Sequence, residues 1–240
     1  MTTSPPPRFE RAFTLIELLV VIVTIGILVA IATPVFIRVL ERAKATKDMS
    51  NLRQIGIVTQ LYMNDNSGTL FSTTGSWMSQ LYSVDPTTPK YLSSWKIFLS
   101  PFDRPVSPRT ASTNNASSAV SYGINATSGV IGISADKISK PTVFIVFAPA
   151  QASGLAVRFL GIGNTTSQAN LAGSANVTVL AAASTPGGPA TGGTHNSRTK
   201  INALFADWHV ETMPWSGTGP AFTNTTDPGG DPDAPFRWSP

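Results

Sequence analysis

Three groups of side chains in this 240-residue chain are placed to do chemistry. Glu17 is the first: a carboxylate inside residues 13–35, which are otherwise apolar almost throughout. An ionised acid at the centre of a bilayer costs roughly 2.5 to 3.5 kcal/mol, so an acid in such a stretch requires a partner or a purpose. Its place near the start of the stretch moderates that cost, because the positive end of a helix dipole favours a carboxylate by up to about 1 kcal/mol. A Glu resting at the headgroup level would satisfy the same physics. His195, Asp207 and His209 form the second group, offering a base, an orienting acid and a ligand. Asp207 and His209 are two apart and would share one side of a strand. No activated nucleophile or third metal ligand accompanies them, so hydrogen-bonded structural roles are expected rather than catalysis. The third group is Asp227, Asp231 and Asp233 in a Gly/Pro-rich tail. Their oxygens suit Ca²⁺, but the spacing matches no EF-hand and a solvated acidic tail is the simpler account. Gly161 and Gly163 lack the third glycine and the following helix of a dinucleotide loop, and predict a turn.

The elements that must position these residues follow from the pattern. As a helix, residues 13–35 would rise about 35 Å, enough to cross a hydrocarbon core of about 30 Å. Residues 1–12 are polar, with Pro5 to Pro7 blocking helix and Arg8 and Arg11 close to the apolar stretch, and form a leader. Pro34 lacks an amide hydrogen and crowds the preceding turn, which predicts a kink or local melting over residues 30–34, and Gly26 is a second weak point. Residues 36–63 interleave charge with apolar residues. Leu52, Ile55, Thr59 and Tyr62 recur at spacings of three and four, a stem helix with one face on a globular head. Asn64 to Gly68 stops it, giving one helix of about 75 Å.

From residue 64 to 217 the chain is rich in Ser, Thr, Asn, Gly and Pro with short apolar runs. A helical turn or two is expected over 77–83 and a brief apolar segment at 95–99. Strands are expected at 120–125, 130–134, 142–148, 156–162, 177–182, 201–206 and 209–213, from β-branched and aromatic content bounded by turn residues. Residues 183–194 are a loop and 218–240 an irregular tail. The fold class is therefore α+β, a long N-terminal helix packed on a small antiparallel sheet.

Composition narrows the function classes. No cysteine is present, which removes disulfide frameworks and Cys metal sites. The formal charge is +4, yet from Asn64 onward ten Lys or Arg face nine Asp or Glu. The basicity belongs to the stem, and the near-neutral head counts against nucleic acid as a partner. Five Asn-x-Ser/Thr sequons fit a Ser/Thr/Asn-rich surface and are expected by chance at this composition.

Residues Arg11-Ala12-Phe13-Thr14-Leu15-Ile16-Glu17-Leu18-Leu19 resemble the processing site of type IV pilin-like precursors. There a basic leader and a small residue precede Phe and an apolar helix whose fifth residue is Glu. Counted from Phe13, Gly26 is the fourteenth residue and Pro34 the twenty-second, where that family also carries Gly and Pro. Ala12 stands where the family usually has Gly. The resemblance implies that a prepilin peptidase cuts between Ala12 and Phe13 and methylates the new amine, leaving the apolar helix in the mature chain. That amine, with an ordinary pKa near 8, is mostly cationic at neutral pH. It implies, further, a single-pass protein of the bacterial inner membrane, lipid-embedded before assembly, with its head in the periplasm or outside. Copies of itself, other pilin-like subunits and an inner-membrane assembly platform would be its partners. Glu17 would then pair with the Phe13 amine of a neighbouring subunit. Arg38, Arg42, Lys44, Lys47 and Arg53 after the apolar stretch would by charge count alone place the C-terminal side in the cytoplasm, against this topology.

A second stretch, His195-Asn196-Ser197-Arg198 followed by residues 202–210, is similar to a motif that ends many prepilin-type proteins, in which a His is followed nine residues later by Asp-Gly and then by a late Arg-Trp. Here eleven residues separate His195 from Asp207, Trp208 replaces the Gly, and the Arg-Trp pair recurs as Arg237-Trp238. An Asp-Gly pair would suit a tight hairpin turn with positive φ. Trp208 adopts positive φ only at a cost, so a longer or differently shaped turn is expected. The resemblance to type II secretion pseudopilins also brings a possible Ca²⁺ site in a C-terminal loop, for which Asp227, Asp231 and Asp233 are the candidates. A structural subunit of a type II secretion pseudopilus is the first reading. A type IV or competence pilin whose head binds DNA or a surface is the alternative, and a membrane-anchored enzyme is disfavoured.

Overall fold

The computed structural model describes residues 14–72, 77–102, 120–125, 130–149, 158–159, 194, 200–214, 236 and 240. Helix α1 (Leu15–Asp65) runs without interruption through Pro34. The expected melting at 30–34 does not occur. The lost Pro34 amide removes one bond to the carbonyl four residues back, and in the turn before it Thr33 Oγ1 adds a donor to the Val29 carbonyl at 2.8 Å. Helical bonds on either side are sufficient to carry the segment across one missing donor.

The chain divides into two compact units, residues 1–42 and 43–240. In the first, the side chains of α1 are exposed on every side, including Leu15, Ile22, Leu28, Ile31, Phe36 and Leu40. A helix apolar all round has no single face to bury, and this one is long and apolar enough to cross a membrane.

In the second unit the same helix becomes one-sided. Asp48, Asn51, Leu52, Ile55, Gly56, Val58, Thr59 and Met63 are buried, and Arg53, Ile57, Gln60 and Leu61 face outward. The buried stripe lies on a five-stranded sheet of β1 (Tyr122–Asn125), β2 (Ile145–Pro149), β3 (Arg158–Phe159), β4 (Lys200–Phe205) and β5 (Val210–Pro214), in the order β3-β1-β2-β4-β5. Strands β1, β2, β4 and β5 pair antiparallel, and two-residue β3 adds parallel to β1. The β2–β4 register shifts between Ile145 and Phe147, a bulge in β2. This is the α+β, pilin-like arrangement expected: a long N-terminal helix on a small antiparallel sheet.

Alternation along β4 sorts the core into two clusters. Ile201, Ala203 and Phe205 join Ile145, Ala148 and Met213 on one face. Leu204 faces the helix with Leu52, Ile55, Tyr122, Ile124 and Phe147. Short helix α2 (Trp77–Leu81) and a 3₁₀ turn (Trp95–Phe98) close the helix side with rings. Trp77 meets Phe147 at 4.7 Å and Phe98 edge-on at 5.3 Å. Truncating Trp77 to Ala would cost about 3–5 kcal/mol, the range for a fully buried aromatic.

Two strand expectations change. Residues 130–134 form a turn, with Ile133 N–H donating to the Val130 carbonyl and Gly132 at φ +74; they meet residues 69–71 through an isolated bridge, Thr69 to Ser134, and through bonds from Leu70 N–H to the Ile133 carbonyl and from Gly132 N–H to the Phe71 carbonyl. Residues 142–144 belong to a turn closed on the Lys140 carbonyl, so β2 begins at Ile145. Of residues 156–162 only Arg158–Phe159 is a described strand, and 177–182 lies outside the described residues. Helix α2 ends at Leu81, whose carbonyl accepts from Leu92 N–H rather than from a continuing turn.

Candidate functional site

Thr14 and Glu17 form the start of α1. Thr14 Oγ1 accepts from Glu17 N–H at 3.3 Å, while Glu17 Oε2 accepts from Thr14 N–H at 2.9 Å and from Thr14 Oγ1 at 2.7 Å. This reciprocal arrangement is a capping box, Thr-x-x-Glu, and satisfies amide hydrogens that the first helical turn would otherwise leave unpaired. The carboxylate is thus engaged within its own helix while remaining fully exposed. Gly26 lies in open space, with nothing within 4 Å of where a Cβ would be. Ala12 and Phe13 lie outside the described residues.

The exposed apolar helix thus carries an acid in its capping box, at the fifth position from Phe13. Residues 7–33 match the prokaryotic N-terminal methylation motif. The match covers a short N-terminal part of the chain and supports a type IV pilin-like prepilin segment there. The match begins at Pro7, within the expected leader, takes in Ala12, Phe13, Glu17 and Gly26, and ends just before Pro34. No curated protein and no solved structure matches the chain.

Beyond the methylation-motif segment, the C-terminal constellation resolves into a hairpin. Trp208 N–H donates to the Phe205 carbonyl at 3.0 Å and Phe205 N–H donates to the His209 carbonyl at 3.0 Å, so Ala206, Asp207 and Trp208 form a three-residue loop closed by the Phe205–His209 pair, and β5 starts one residue later at Val210. The loop is longer than the two residues an Asp-Gly turn would use, as expected. Trp208 nevertheless sits at φ +69, a conformation costing an L-residue roughly 1–2 kcal/mol. Packing offsets that cost. Trp208 lies against the core, where Cε3 comes within 3.6 Å of the position a Cβ on Gly56 would take. The absent side chain at Gly56 makes room for Leu204 and the indole together.

Asp207 and His209 do not share the side of a strand, because the loop intervenes. The Asp207 carboxylate accepts from His209 N–H at 3.2 Å and pairs closely with His209 Nδ1. The imidazole stacks on Phe205 at 4.3 Å and 6°, and its Nε2 is 3.9 Å from Glu211. These contacts brace a turn. Among the described residues no group of three His, Cys, Asp or Glu could hold a metal ion. His195, Asp227, Asp231 and Asp233 lie outside the described residues.

Sequence reasoning missed one polar centre. Asp48, 1% exposed, accepts from Ser100 Oγ and from Tyr122 Oη at 2.7 Å on Oδ1, and from Asn202 Nδ2 at 2.8 Å on Oδ2. Asn202 in turn donates to the Ala45 carbonyl at 3.4 Å and accepts from Thr212 Oγ1 at 2.7 Å. Beside this network Asn51 Nδ2 donates to the Leu99 carbonyl at 2.9 Å. Burial pushes the Asp48 carboxyl above the ordinary range, and its three donors pull the other way. Tyr122 is raised well above its ordinary value by burial and by the Asp48 charge. The signal was available: Asp48 continues the buried stripe of Leu52, Ile55 and Thr59 by one turn, at the spacing that faces the head.

Proposed function

We propose that this protein is a structural subunit of a pilin-like filament, cleaved between Ala12 and Phe13 and methylated at the new amine, and that the filament is a type II secretion pseudopilus. The observation that carries the reading is the methylation motif at residues 7–33, set on a helix whose apolar side chains are exposed from Leu15 to Leu40 and whose acid lies at the fifth position from Phe13. Those side chains need lipid before assembly and other helices after it.

Glu17 has a role in both states. In the membrane the capping box satisfies the carboxylate within its own chain. During assembly the cationic Phe13 amine of a neighbouring subunit becomes its counter-ion, so an acid embedded among apolar helices sets the register between subunits. Thr14 holds Glu17 for that exchange, Gly26 allows close helix approach, and Pro34 marks the end of the apolar part. The subunit adds head-to-tail into a helical array that does not close. Its role is structural rather than catalytic, and its head lies on the periplasmic side.

Mass spectrometry of the mature N-terminus is the test. A chain beginning at methylated Phe13 is the expected product. A chain still beginning at Met1, or one shortened past the apolar helix, would overturn the reading. Neighbouring genes for an assembly ATPase and a secretin would favour secretion, whereas salt-sensitive DNA binding by the protein would favour a competence pilin.

A further inference from the structure

The Asp48 centre is a buried carboxyl joined in series to an amide and a hydroxyl on two strands. Its donors come from three separate segments: Ser100 after the 3₁₀ turn, Tyr122 from β1 and Asn202 from β4. Tyr122 is the other titratable group in contact. Among the described residues no Lys or Arg pairs with Asp48, although Lys44 and Lys47 flank it on α1. A buried carboxylate without a cation is costly in its charged form and is held here by neutral donors alone.

Two members of the chain of bonds can reverse direction. In the observed arrangement Thr212 Oγ1 donates to Asn202 Oδ1, and Asn202 Nδ2 donates to Asp48 Oδ2, which suits an ionised carboxylate. A proton taken from solvent onto Oδ2 would turn that acceptor into a donor. Asn202 can answer by turning its amide over, so that Oδ1 accepts from Asp48 and Nδ2 donates to Thr212 Oγ1. A hydroxyl accepts as well as it donates. The Asp48–Asn202–Thr212 chain is then bonded in both protonation states; the flip gives up the longer 3.4 Å bond from Asn202 Nδ2 to the Ala45 carbonyl, and the Thr212 hydroxyl hydrogen turns toward Met49 Sδ at 4.0 Å.

We propose that Asp48, Asn202 and Thr212 form a proton-coupled amide switch that joins the stem helix to the sheet in two alternative hydrogen-bond directions, set by external pH. Asp48 is the proton acceptor, and Asn202 and Thr212 are positioning residues that carry its state from under the helix to half-buried Thr212 on the edge strand β5. The inference does not depend on the filament reading.

The sign follows from burial. The folded chain keeps the Asp48 proton to higher pH than the unfolded chain, so the stability this proton contributes is complete below the ordinary carboxyl range and is lost as pH rises through the raised value. Asp85 and Asp136, held below their ordinary values by hydrogen bonds, run the opposite way and cancel in a comparison of variants.

The experiment measures Tm of the full chain in detergent micelles by tryptophan fluorescence over roughly pH 4 to 9, wild type against Asp48→Asn. The amide that this substitution introduces cannot titrate, and the Asn202 flip accommodates it. The expected result is a wild-type Tm that falls relative to the variant by about 3–5 °C per pH unit across the interval in which Asp48 titrates. Parallel curves, the mark of a carboxyl that merely fills space, would overturn the proposal. Tyr122→Phe keeps the test decisive should Asp48→Asn fail to fold. Removing one donor to the carboxylate should move the wild-type transition to higher pH, and an unmoved transition would sink the switch.

Discussion

Glu17 and Asp48 are two acids on one helix with opposite solutions to the same problem. Glu17 is fully exposed, and its carboxylate is bonded three residues back to Thr14 in its own first turn. Asp48 is 1% exposed, and its carboxylate gathers donors from residues 52, 74 and 154 positions away. A local bond leaves an acid free to exchange partners, whereas a long-range set ties the acid to one fold. On the proposed function the first acid suits a subunit that leaves lipid and joins neighbours, and the second suits a head that stays on its stem.

That contrast is broken most directly at Glu17. Glu17→Ala should leave processing before Phe13 intact and reduce sedimentable filaments more than about tenfold, the factor that ~1.4 kcal/mol per subunit contact supplies. Shearing and pelleting measures it. Filaments at wild-type levels would show that the exposed acid serves only its own helix.

Within this comparison the hairpin supplies the largest effect on folding rather than on assembly. Trp208→Ala removes an indole that is partly buried against Gly56 and leaves the residue at positive φ, so denaturant unfolding should show a loss of about 2–4 kcal/mol. Trp208→Gly loses the same packing but relieves the backbone, and should be milder than Ala by about 1 kcal/mol. Equal losses would mean that the loop stores no strain.

How much of this was legible in the sequence depends on whether a residue's partner is near it in the chain. The apolar run, the position of Glu17 and the stripe of Leu52, Ile55 and Thr59 are local patterns, and each led to the correct element. The strand expected at 130–134 failed because Val130 and Ile133 bury their side chains from a turn, where β-branched content says nothing about pairing. Asp48 is one charge among several in the stem by sequence, and its burial is decided by Tyr122 and Asn202, far along the chain. Trp208 was expected to shun positive φ, and the residue that permits it is Gly56 on the helix. A tertiary gap there outweighs a local backbone preference.

Smaller effects sharpen the comparison at the ends of the helix. Thr14→Ala opens the capping box and should cost about 1 kcal/mol, read as amide exchange at Glu17 rising about fivefold in micelles. No change would mean that the carboxylate caps the helix unaided.

Gly56→Ala should have the least effect, because two terms of similar size oppose each other. Alanine in a helix interior is favoured over glycine by about 1 kcal/mol. Against it, the new Cβ would lie 3.1 Å from Leu204 Cδ1 and 3.3 Å from Cδ2, with Trp208 Cε3 at 3.6 Å. Leu204 is fully buried and has little room to yield, yet the contacts are with side-chain tips rather than backbone. A net change within about 1 kcal/mol is expected in unfolding of the full chain. In Trp208→Ala the indole no longer fills that space, so the same substitution should become stabilising there. A Gly56→Ala effect that is equal in both backgrounds would show that the glycine does not serve the tryptophan, and that the positive φ at Trp208 is supported from elsewhere in the head.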